Sequence, residues 1–280
     1  MMKADSTTPW QTFPTETLDA LFAAVEINDV VDRQVGLPAA TAQSCTRDTL
    51  QTCFALCWQF WRRAVARREL VRLVDTAIRS GDLSAGERIQ FKHMRAAYKQ
   101  LRCALMLYAT SHTQPLLFRA TVGVLGQMQD ASRLGRRMQV RGHGVVLRIL
   151  LSWPFWNMTR KRVAATRIDT AEGCANFRGR ELDQLRQLLQ QSVFSGHEFH
   201  VMRKIVSRQV AFYDHLRTLE SNACVHQMSR FLSAINGLMG ARHDGMVRQH
   251  VSGARDYATR EALPADIRTR LEAWLACFKA

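Results

Sequence analysis

The sequence predicts an all-α protein. Apolar residues recur at helical spacing through Leu50–Gly81, Glu87–Thr110, Glu181–Ser192, His197–Ser221 and Leu263–Phe278. Strand signals are nearly absent, with no sustained alternation and no Asn-Gly or Asp-Gly pair between β-branched runs. Gly81, Gly173, Gly179 and Pro264 fall at the ends of the periodic segments, where helices start and stop.

Taken in order, residues 1–45 read as an acidic, loosely held leader with at most one short helix, Glu16 to Ile27. Its Thr-Thr-Pro, Phe-Pro-Thr and Leu-Pro-Ala triplets interrupt any longer element. The run from Leu50 carries Cys53 and Cys57 four residues apart, the spacing of two thiols on one buried helix face. A chain of 280 residues has enough length for one large core or two smaller ones. Residues 46–165 and 166–280 are expected to form two helical repeats.

A phrase written twice supports that division. "GVLGQMQD", Gly123 to Asp130, returns as "GLMGARHD", Gly237 to Asp244. Gly126 and Asp130, like Gly240 and Asp244, are four apart and share a helix face. The glycines leave room for another backbone to approach. Asp130 and Asp244 are expected to support an arginine by a charge-assisted hydrogen bond.

Lys and Arg outnumber Asp and Glu by 39 to 24. Residues 1–45 hold six acids and two bases, so the remaining body carries 37 bases and 18 acids. Such a body attracts polyanions, whether nucleic acid, acidic lipid or polyphosphate. Upstream of the first glycine phrase, Lys92, Arg95, Lys99 and Arg102 fall within an arc of about 80°. Upstream of the second, His200, Arg203, Lys204 and Arg208 share about 140°. Residues 91–110 and 199–213 contain no acid. A solvated helix face ordinarily mixes signs and gains about 0.2–0.5 kcal/mol per pair; these one-signed faces forgo that gain. From Ala131 to Arg167 there are nine bases, Arg133, Arg136, Arg137 and Arg141 among them, and again no acid. Trp153, Phe155 and Trp156 interrupt that stretch. They are read either as core residues of a basic connection or as stacking groups on an anionic track.

A basic helix opening His-x-x-Arg, followed by Leu-Gly-x-x-x-Asp or its like, and all of it twice, resembles the CHAD domain, the conserved histidine α-helical domain. The resemblance covers roughly residues 50–280. It implies two helical-bundle repeats with a pseudo-two-fold relation around a basic central cleft, and binding of inorganic polyphosphate. Lys92, Arg95, Lys99 and Arg102 match the family's first basic helix, and His200, Arg203 and Arg208 its second. Gly126 with Asp130 and Gly240 with Asp244 match its two turns. Lys92 stands where the family has its first histidine, with His93 one residue out of phase, and Ser207 and Val210 replace further cations. This makes the chain a divergent member.

Other chemistries find no pattern. Nine histidines include His197, His200, His243 and His250, but no structural zinc spacing and no HExxH occurs. There is no GxSxG and no GxxxxGK[ST]. Triphosphate-tunnel enzymes, sometimes fused to this domain, carry ExExK, and no Glu-x-Glu is present. The expected protein is therefore not an enzyme and takes no cofactor or metal. It binds a linear polyanion, polyphosphate first, through the two basic rows, with His93, Arg133, Arg136, Arg137 and Arg141 as additional phosphate contacts. A nucleic-acid binder and an adaptor at a granule or an anionic membrane are the alternatives. Seven cysteines without CxxC spacing and an opening that lacks a signal-peptide core point to the cytoplasm, with polyphosphate or other storage granules as associates. The apolar run from Gly144 is broken by Arg148 and Pro154 and is too short for a membrane span.

Overall fold

The structure is a computed structural model that describes residues 10–27, 31–39 and 45–278. In chain order it contains α1 (Thr15–Ile27), α2 (Arg47–Ala64), α3 (Arg67–Ser80), α4 (Ala85–Tyr108), α5 (Leu116–Arg133), α6 (Arg137–Leu150), α7 (Trp153–Ala164) and α8 (Ala171–Leu189). Strand β1 (Val193–Phe194) follows, then α9 (Gly196–Leu219), α10 (Ala223–Val251), β2 (Glu261–Ala262) and α11 (Ala265–Ala276). The protein is mostly helical, and the one sheet among the described residues is the antiparallel pair of two-residue strands. The chain divides into two compact units, Met1–Pro14 with Arg47–Asp169, and Thr15–Thr46 with Thr170–Ala280.

The first unit is centred on α2, which buries Cys53, Phe54, Cys57, Trp58 and Trp61 and packs along α4. The Trp61 ring stands 5.5 Å from Tyr98, 6.3 Å from Phe118 and 5.3 Å from Trp156, so one side chain ties α2 to α4, α5 and α7. The long periodic run from Leu50 breaks between α2 and α3, where Ala66 is extended. Arg67, the first residue of α3, donates from Nε to the carbonyl of Leu151 at the end of α6 at 2.7 Å. Helix α3 stops at Gly81, whose φ of 75° is left-handed and whose N–H closes on the Ala77 carbonyl. Residues 131–167 are not a connection: α6 and α7 belong to this unit, and α6 packs on both α3 and α5.

The second unit is built on α9 and α10, with α1 and α8 against α9. Helix α9 buries an almost continuous run from Gln209 to Leu216. Asp214 within it is fully buried. It accepts from Ser229 Oγ at 2.6 Å and lies 3.4 Å from Arg217 Nε, which compensates its desolvation.

The described residues before Arg47 fall in both units, and the one short helix expected there, Glu16 to Ile27, is present as α1. Trp10 packs on Phe54 at 4.9 Å, and the Gln59 amide bonds Phe13 N and O at 2.7 and 2.8 Å, all in the first unit. In the second unit α1 buries Leu18, Leu21 and Ala24. Apolar residues three apart give that helix a face to bury.

Each unit opens its basic helix in the same way. Ser84 accepts from Glu87 N while Glu87 accepts from Ser84 N, and Ser195 and Glu198 do the same. Both capping boxes start a helix of 24 residues. Satisfying two orphan amides at each start fixes where the helix begins and hence which face its cations occupy.

Candidate functional site

Arg95 lies midway along α4, half-buried, and its guanidinium is laid against Gly126 of α5. A Cβ on Gly126 would meet Arg95 Nη2 at 3.5 Å and Nε at 3.9 Å. The second unit repeats the arrangement. Arg203 of α9 lies against Gly240 of α10, where a Cβ would meet Nη2 at 3.2 Å and Cζ at 3.7 Å. The sequence suggested that these glycines admit a backbone; what uses the space is an arginine side chain. The first glycine of each phrase differs. Gly123 has nothing within 4 Å of a Cβ, whereas Gly237 would meet Val31 Cγ2 at 2.5 Å. The second glycine is therefore the shared feature, and it serves the arginine of the preceding helix.

Around Arg203 the structure adds groups that spacing alone did not reveal. Arg203 Nη1 lies 3.2 Å from His243 Nδ1, and His243 Nε2 lies 2.9 Å from the Tyr257 hydroxyl. A guanidinium only donates, so Nδ1 of His243 accepts and its proton sits on Nε2, which donates to the tyrosine oxygen. His200 stacks on the His243 ring at 4.8 Å with planes 27° apart, and His197 meets Tyr257 edge-on at 4.9 Å. Burial pushes the Tyr257 phenol up, and the Arg203 charge opposes that shift. Gly196 permits the close approach of Tyr257: a Cβ there would fall 2.6 Å from the ring.

The remaining predicted residues have several fates. Lys92 and Lys204 are exposed; His93, Lys99, Arg102 and His200 are half-buried on their helices. Arg208 is drawn inward to Glu181 of α8, in an ion pair with both side chains largely covered. Burial pushes the Glu181 carboxyl up, with Arg208 pulling it back. Arg208 is thus committed to a carboxylate in its own unit. Lys92 and Arg133 border an apolar cavity of about 190 Å³ between α4, α5 and α6. Arg137 and Arg141 lie over Gly81 at the C-terminus of α3, where Arg141 donates to the Arg79 carbonyl at 3.3 Å. Cations at that end meet the negative pole of the helix. Arg136 flanks the start of α6. Asp130 is exposed on α5, and Asp244 lies 3.9 Å from His243 Nδ1.

Trp153 and Trp156, read together from the sequence, separate: Trp156 is 8% exposed against Trp61, while Trp153 is 62% exposed. Among the described residues no group of three or more His, Cys, Asp or Glu side chains is placed to hold a metal ion. No helix there is long and apolar enough to cross a membrane. No family model, no curated protein and no solved structure matches this chain.

Proposed function

We propose that the chain is a divergent protein of CHAD type that binds a linear polyanion, inorganic polyphosphate first, without catalysing a reaction. The observation that supports this reading is the paired arrangement of Arg95 over Gly126 and Arg203 over Gly240. In each unit a basic helix has one arginine, within its acid-free stretch, seated in the notch of the following helix. A side chain held in one place gives up less freedom on meeting a phosphate, and its planar fork matches two phosphate oxygens. Lys92, Lys99, Arg102, His200 and Lys204 extend the two rows as further cations. Arg208, already neutralised, is left out of the proposed contacts.

The proposal includes the shared basic cleft of a pseudo-two-fold pair of repeats, with both rows on one polymer. A shared site makes one long polyphosphate bind far more tightly than two short ones, because the second row engages at high effective concentration. It also places the protein with polyphosphate or other storage granules in the cytoplasm.

A nucleic-acid binder is the second reading, favoured by the exposed Trp153 ring, on which a base can stack. A competition decides between them. Labelled polyphosphate bound to the protein is challenged with single-stranded DNA, duplex DNA and RNA at equal phosphate concentration. Polyphosphate is expected to hold, and Trp153→Ala to change nothing. Displacement by a nucleic acid at equal or lower concentration, with loss of its binding in Trp153→Ala, gives the site to the rival.

A further inference from the structure

Helix α6 is apolar on two opposite faces. Val140, Gly144 and Leu147 are buried, and Gly144 is packed so closely on α3 that a Cβ would meet Ile78 Cγ1 at 2.7 Å. That face is the helix's share of the core. On the other side Met138, Gly142, Val145 and Ile149 follow at i, i+4, i+7 and i+11, within an arc of about 60°. Met138 is 75% exposed, Val145 49% and Ile149 55%. The chain then passes directly into the exposed Trp153 and Phe155 at the start of α7. Seven of the fourteen large apolar side chains exposed among the described residues fall between Met138 and Met158. Scattered exposure is ordinary for a folded protein; concentration on one helix stripe marks a contact surface.

We infer that this face of α6 and the start of α7 is a docking surface for an anionic phospholipid bilayer. Charge selects that occupant. The stretch that carries the apolar stripe, residues 131–167, holds nine bases and no acids. Arg141 and Arg148 project about 60–80° to one side of it, within reach of headgroups while the stripe enters the acyl boundary. Arg148 also reaches Asp75 of α3 at 3.0 Å, the acid that faces this edge. Exposed Trp and Phe between arginines suit the headgroup level, where an apolar body and a polar rim are both satisfied. A phosphate polymer would use the cations and leave Met138, Val145 and Ile149 in water; a bilayer uses both. The stripe spans about 16 Å, eleven residues at about 1.5 Å each, long enough to lie in the interface and far too short to cross it.

The test is flotation of the full chain with vesicles of phosphatidylcholine alone and of phosphatidylcholine containing phosphatidylglycerol. The protein is expected to float with the anionic vesicles only. Part of that binding should survive high salt, and tryptophan emission should be quenched by brominated acyl chains in wild type and much less in Trp153→Phe. Ile149→Glu with Trp153→Glu, both at exposed positions, should lower partitioning by about tenfold or more while helicity and polyphosphate binding stay as in wild type. Equal flotation with neutral vesicles, unchanged flotation of the double variant, or complete loss in salt without quenching overturns the inference. A wild-type dimer in sedimentation that the double variant abolishes, without vesicle binding, assigns the face to a second copy instead.

Discussion

Arg203 occupies the space that a side chain on Gly240 would need, its Nη2 3.2 Å from the position of the missing Cβ. That contact is tighter than its counterpart at Gly126, where the distance is 3.5 Å. The two glycines therefore respond differently to substitution. Gly126→Ala gains helix propensity of about 0.8–1 kcal/mol and leaves Arg95 in ordinary contact, so its thermal midpoint should rise with polyphosphate affinity unchanged. Gly240→Leu drives the guanidinium out of its notch and breaks its contact with His243. It should cost about tenfold in affinity, the value of one charge-assisted hydrogen bond. Unchanged affinity in Gly240→Leu would show that the notch has no part in binding.

The arginines themselves are tested against a matched loss of charge. Arg95→Ala with Arg203→Ala removes one seated cation from each unit. Arg47→Ala with Arg180→Ala removes one exposed arginine from each. The first pair should weaken polyphosphate binding by about a hundredfold, at roughly tenfold per charge-assisted contact. The second should change it by less than about threefold. Equal losses would reduce the interaction to net charge.

Salt dependence counts the contacts. Log affinity for long polyphosphate should fall linearly with log salt, and each seated arginine removed should lower the slope by about 0.7–0.9 if polyphosphate behaves as nucleic-acid backbones do. Titrations from low to high salt with wild type, Arg95→Ala and Arg203→Ala measure this. A slope unmoved by either variant would place the phosphate elsewhere.

His215 makes stability depend on pH. The residue is fully buried in α9, and burial alone pushes its imidazole down to about 3 from an ordinary value near 6.5. Above pH 6.5 neither the folded nor the unfolded chain binds that proton, and His215 contributes nothing. Between about pH 6.5 and 3 the unfolded chain takes it up and the folded chain does not, so stability falls as pH falls. At pH 4.5 the loss is about 3 kcal/mol, at about 1.4 kcal/mol per pH unit. In His215→Gln the difference between urea unfolding free energies at pH 7 and pH 4.5 should shrink by that amount. An unchanged difference would mean that another group carries the acid sensitivity.

Two tryptophans of opposite exposure calibrate the core. Trp61→Ala opens a cavity among Tyr98, Phe118 and Trp156 and should cost about 3–5 kcal/mol in denaturant unfolding. Trp153→Ala should stay within about 0.5 kcal/mol, its cation–π partner Arg67 lying 5.9 Å from the ring centroid. Similar losses from both would contradict the assignment of Trp153 to the surface.

What the sequence determined by itself follows from local rules. Helical periodicity set the fold class, and acid-free stretches marked the two basic helices. The recurrence of a glycine phrase was equally legible, because it needs only comparison of the chain with itself. The tertiary structure decided what each residue meets. Only packing of α5 on α4 and of α10 on α9 shows that Gly126 and Gly240 receive Arg95 and Arg203. The approach of His243 and Tyr257 to Arg203 joins residues 40 and 54 positions away, and no helical period reports such a distance. Arg208 looked like any other cation of its row until α8 brought Glu181 to it. Trp153 and Trp156 are three residues apart with the same chemistry, yet one is core and the other surface. A period gives the direction of a side chain on its own helix; which directions end in protein and which in water depends on where the neighbouring helices lie.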